Sequence, residues 1–124
     1  MTIAFWCVLI AGLMPIVFAG VAKVGDKSFN NRRPREWYES VTGYRKRAWW
    51  AQQNAHEAFP LFAAAVLVAH FAGADQPLVD ALAIAFIAFR LAYGTCYLAD
   101  IHLARSLMWL GGFACCIGLF IAAA

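Results

Sequence analysis

Four apolar runs divide this chain: Ile3 to Ala22, Ala48 to Phe71, Leu78 to Leu98 and Leu103 to Ala123. At about 20 residues each, they match a helix that rises about 1.5 Å per residue across a hydrocarbon core of about 30 Å. The pattern predicts four membrane helices, joined by one long polar connection over residues 23–47 and by two short ones. Short connections force neighbouring helices to alternate in direction. The expected architecture is an all-α integral membrane four-helix bundle, up-down-up-down, that takes residues 1–124 as a single domain. Gly25, Asn30-Asn31, Pro34 and Gly43 mark the long connection as a surface loop, with room for a short interfacial helix near Glu36 to Val41.

The second run breaks the apolar pattern. Its first half, RAWWAQQNAHEAFPLF over residues 47–62, holds Gln52, Gln53, Asn54, His56 and Glu57 where a membrane helix should be greasy. Arg47, Trp50, Asn54, Glu57 and Leu61 recur at intervals of three and four, so they share one helix face. In the third run Arg90, Tyr93 and Tyr97 do the same, with Asp100 next in line beyond the span. Counted inward from Arg47 and from Asp100 at one membrane edge, Glu57 and Arg90 both lie about 15 Å deep. A lone ion at that depth is costly, so the two are expected to pair, with Asn54 and Tyr93 as a hydrogen-bonding layer about 10 Å deep. Two readings fit such a stripe: polar glue between helices, worth about 1 kcal/mol per hydrogen bond, or the wall of a crevice that takes a ligand. Pro60 frees a carbonyl near His56 and can bend the helix to open that crevice.

Composition strengthens the membrane reading. Hydrophobic residues make up 64% of the chain and the mean hydropathy is +0.66, against about 45–50% apolar residues in soluble domains. Charge sets an orientation: eight of the ten Lys and Arg residues lie in or beside the first connection, and the second, GADQPLVD, has only Asp75 and Asp80. By the positive-inside rule the basic loop is cytoplasmic, as is the turn around Asp100 to His102, and both termini lie on the other side, most simply of a cell inner membrane. The basic loop then serves topology and lipid headgroups, with no nucleic-acid partner. The first run could instead be a secretory signal ending at VFAG, but no Lys or Arg precedes it and it is long for a signal core. Cys7, Cys96, Cys115 and Cys116 show no CxxC spacing and read as packing residues. His56, His70 and His102 form no paired ligand motif, so no metal site is expected. Gly111-Gly112 and Gly118 fit close helix packing. Arg105 and Ser106 open the last run at the crevice end, as snorkelling and capping residues or as its reactive end. An ion pathway through Glu57 and Arg90 finds no continuing polar chain in the outer halves of the helices.

The motif Arg47, Asn54, Glu57 and Pro60, followed by FRLAYGTCY with Arg90, Tyr93 and Tyr97, resembles the MAPEG family of membrane proteins in eicosanoid and glutathione metabolism. The resemblance covers essentially the whole chain. It implies a homotrimer that binds glutathione in a crevice between subunits, open toward the cytoplasm. Arg47, Asn54, Glu57, Arg90, Tyr93 and Tyr97 match residues of that site or its support, and Arg105 matches an Arg that in several members stabilises the glutathione thiolate. The chain departs from the family pattern at Lys46, Trp50 and Ala58, and Trp50 replaces a second Arg suited to clamping a carboxylate. The resemblance implies a glutathione-dependent transferase or peroxidase acting on a hydrophobic or lipid-derived small molecule. A non-catalytic lipid-binding or scaffold protein of the same fold is the alternative.

Overall fold

The computed structural model describes residues 1–124 and contains five helices, not four: α1 (Ile3–Lys23), α2 (Pro34–Ser40), α3 (Gly43–Phe71), α4 (Gln76–Leu98) and α5 (His102–Ala123). The fifth, α2, falls where a short interfacial helix is expected near Glu36 to Val41: it makes two turns with Pro34 in the first and buries Trp37 and Tyr38. Three helices, α1, α4 and α5, are long and apolar enough to cross a membrane, which makes this a multi-pass membrane protein. At 29 residues α3 is longer than any of them, and its polar first half lowers its hydropathy.

Side-chain contacts fix the directions. Ala4, Cys7 and Ala11 of α1 share a core with Phe62, Ala65, Val66 and Ala69 of α3, while Met14 and Phe18 meet Ala51 and Ala55, so α1 and α3 are antiparallel. Four of these six α3 residues are alanine, which lets the two backbones approach closely without hydrophobic assistance from water. Phe62 and Phe86 stack at the centre, with ring centroids 3.8 Å apart and planes within 6°. Gly94 admits the Phe18 ring and Gly111 the Phe89 ring, and neither position leaves room for a methyl group.

The ends are satisfied by specific groups. The Asp80 carboxylate accepts from the Ala4 amide at 2.8 Å, capping α1 from 76 residues away. α3 and α4 both end in a Schellman turn: Ala74 N donates to Ala69 O at 3.0 Å, and Ile101 N to Cys96 O at 2.9 Å. The left-handed residue is Gly73 in the first, with φ 72°, but Asp100 in the second, with φ 61°.

Residues 45–47 are already helical, so α3 begins five residues before the apolar run at Ala48. Each of the three cations binds the carbonyl end of a different helix. Arg45 Nη1 donates to Ala22 O at 2.6 Å and Val24 O at 2.9 Å, at the end of α1. Lys46 Nζ donates to Tyr38 O at 3.0 Å and Glu39 O at 2.8 Å, at the end of α2. Arg47 Nε donates to Leu98 O at 3.1 Å, at the end of α4. Carbonyls left over at a helix C-terminus carry partial negative charge, so one RKR tripeptide ties three helices to the start of α3.

Candidate functional site

Below the RKR collar, α3, α4 and α5 turn their polar residues toward one another. Arg90 is 3% exposed, and its Nη2 donates to Asn54 Oδ1 at 2.7 Å. Asn54 in turn donates from Nδ2 to Glu57 Oε2 at 3.4 Å, a long bond. The direct Glu57–Arg90 ion pair expected from matching depths is not formed; Asn54 stands between them. Depth counting compares backbone levels, whereas an Arg side chain is long enough to end one helical turn away, which is the spacing from Glu57 to Asn54.

Aromatic rings carry the arrangement on to α5. The Arg90 guanidinium lies 4.4 Å from the Tyr93 ring centroid, Tyr93 meets Tyr97 edge-on at 5.6 Å, and the Arg105 guanidinium lies 4.4 Å from the Tyr97 ring centroid. Trp50 is tilted against Tyr97 at 6.3 Å. Six of the seven residues singled out from the sequence, Asn54, Glu57, Arg90, Tyr93, Tyr97 and Arg105, therefore line one region. Arg47 stands apart, at the Leu98 carbonyl.

Three adjoining concavities open there, and Asn54 belongs to all of them. One of about 330 Å³ is lined by Trp50, Gln53, Asn54, Glu57, Tyr93 and Tyr97. A second of about 330 Å³ is lined by Asn54, Tyr93, Tyr97, Arg105, Ser106, Trp109 and Leu110. A third of about 200 Å³ runs from Asn54, Glu57 and Arg90 to apolar walls at Leu61, Phe86 and Phe113, ending at Gly112 and Cys116. Trp109 and Phe113, stacked at 5.4 Å with planes within 6°, line it from α5. The sequence reading missed these two rings, although they follow Arg105 at successive steps of four and so continue its face of α5.

Gln53, His56 and Glu57 are exposed on the outer surface of α3, within the length that its apolar neighbours span. A carboxylate on that surface needs water or a polar partner, because acyl chains offer neither. The site is a polar crevice in the flank of a multi-pass α-helical membrane protein, with cations at its buried end and at its α5 edge. The MAPEG family model matches residues 3–124, and the chain belongs to the MAPEG family. No curated protein matches it.

Proposed function

We propose that the chain is a glutathione-dependent transferase or peroxidase that acts on hydrophobic or lipid-derived molecules, and that it works as a homotrimer whose neighbouring subunit covers the exposed polar face of α3. The observation that carries this reading is the position of Arg105: its guanidinium sits over Tyr97 on the same concavity as Asn54, one helical turn from the Trp109–Phe113 pair. A cation there favours a thiolate over a thiol, and the adjoining aromatic wall favours an apolar co-substrate.

The residues present fit glutathione by charge. Of the groups of this tripeptide, a carboxylate matches the cation of Arg90, the ammonium the carboxylate of Glu57, and the thiol the cation of Arg105, with the hydroxyls of Tyr93 and Tyr97 beside them. Glutathione would supply the thiol, as nucleophile or reductant. Arg105 would hold the sulfur as its anion, and Asn54 fixes Arg90 and Glu57 in register. The charge asymmetry supports an orientation with the basic loop cytoplasmic and the termini on the far side of a cell inner membrane.

The test is turnover of a chloronitrobenzene electrophile with glutathione by the purified protein in lipid nanodiscs. Arg105→Ala should lower turnover by about 100-fold, as removal of one preorganised charge does, while glutathione affinity changes little. A second reading, a lipid-binding or scaffold protein without catalysis, draws on Trp50, which presents a 42% exposed indole where the family pattern has a carboxylate-binding Arg. Absence of turnover together with absence of glutathione binding would select it.

A further inference from the structure

The loop end of the molecule has eight basic residues against three acidic ones between Lys23 and Arg47, a net of +5 in a chain whose formal charge is +3. The structure sorts the eight by what they touch. Arg45, Lys46 and Arg47 cap helices. The Lys23 ammonium lies over the rings of Phe29 and Tyr38, 4.6 and 5.7 Å from their centroids. The other four, Lys27, Arg32, Arg33 and Arg35, are exposed, and their side chains donate no hydrogen bond within the chain. Only Arg33 has an acidic neighbour, Glu36 at 3.6 Å, in a pair that is more than two-thirds exposed and so contributes little.

A tether that only fixed topology would need no defined shape, yet this segment is built. Asp26 accepts from Ser28 N at 2.8 Å and Ser28 Oγ at 2.6 Å, and Asn30 Oδ1 accepts from Arg32 N at 3.0 Å. Trp37 Nε1 donates to Ser28 Oγ at 3.1 Å, which fastens α2 to the turn, and Phe29 packs edge-on against Trp37. The four exposed cations are thus carried on a frame that starts where α1 leaves its apolar stretch. Tyr38 and Trp49 stack at 5.6 Å beside that frame, and Trp and Tyr are the residues that gather at membrane–water boundaries.

We propose that Lys27, Arg32, Arg33 and Arg35 form a binding face for the phosphate groups of anionic phospholipids in the leaflet that holds the loop. Three of the four are Arg, whose planar fork suits phosphate oxygens, and the Tyr38–Trp49 pair beside them is of the kind that favours headgroup depth. None of the four lines the crevice, so the face is independent of the activity proposed above.

The experiment uses the full chain in bilayers with trace spin-labelled lipid, and it compares the association constant of phosphatidylglycerol with that of phosphatidylcholine. The wild type should prefer phosphatidylglycerol severalfold, and high salt should reduce the preference. Replacing all four cations by Gln should bring the ratio close to one. Should that variant fail to fold, Lys27→Gln with Arg35→Gln should still remove about half of the logarithmic preference, since each surface cation contributes a similar amount. A wild type without preference, or a Gln variant that keeps it, overturns the proposal. So does displacement of the spin-labelled lipid by free inorganic phosphate or by a short RNA beyond that caused by chloride at equal ionic strength, which would assign the face to a soluble anion.

Discussion

Asn54→Ala tests the polar centre most sharply, because the structure gives this residue a role that depth counting assigned to a direct ion pair. Asn54 Oδ1 is the one side-chain oxygen that accepts from Arg90, at 2.7 Å, and Arg90 is 3% exposed. A hydrogen bond to a charged group contributes about 1.5–3 kcal/mol, and a buried charge that loses its partner adds a desolvation penalty, so Asn54→Ala should cost about 2–4 kcal/mol. Within the chain Glu57 is bound only through a 3.4 Å contact, so Glu57→Gln should cost less than Asn54→Ala. Reversible unfolding in mixed micelles, with SDS as the titrant, measures both. A double-mutant cycle of Asn54→Ala with Arg90→Met should return a coupling of about 1.5–3 kcal/mol. A direct Glu57–Arg90 pair predicts the reverse order, with loss of the carboxylate costing about 3–5 kcal/mol. Finding Glu57 substitutions more damaging than Asn54→Ala would refute the relay.

Asp100 holds a left-handed conformation at φ 61° in a turn whose counterpart uses Gly73, so Asp100→Gly should stabilise the protein by about 0.5–1 kcal/mol in the same assay; destabilisation would show that the Asp side chain has a role of its own. Asp26 has its pKa lowered by the Ser28 hydroxyl and amide and by the nearby Arg45. Its contribution to the loop is therefore present above the ordinary carboxylate value and is lost as pH falls through the lowered one. NMR titration of the Asp26 carboxyl should give a midpoint below the ordinary Asp value that rises in Ser28→Ala, and an unchanged midpoint in that variant would contradict the assigned cause.

Much of this was legible in the sequence, because membrane helices must satisfy their own backbone and leave a long apolar run as the trace. The far end of α3 at Phe71 and the limits of α1, α4 and α5 fall within two residues of the runs. The near end of α3 was not legible, since Arg45, Lys46 and Arg47 look like loop residues until the carbonyl ends of three other helices are in place around them. At the site, spacing was enough to put Asn54, Glu57, Arg90, Tyr93 and Tyr97 on facing stripes. It could not say which polar atoms meet, because that depends on how far each side chain reaches. Trp109 and Phe113 were passed over for a different reason: aromatic residues in a membrane helix look like ordinary packing until Arg105 is seen to share their face.

The central claim is that Arg105 makes a thiolate in the crevice, and the most direct measurement is the ultraviolet absorbance of the thiolate when glutathione is titrated into the protein in nanodiscs at neutral pH. The account predicts a saturable thiolate signal in the wild type. It predicts loss of that signal in Arg105→Ala, with glutathione affinity by calorimetry within about threefold of wild type, because the cation acts on the sulfur and not on the peptide that anchors it. Glutathione that binds without a thiolate signal in the wild type, or a signal that persists undiminished in Arg105→Ala, would contradict it.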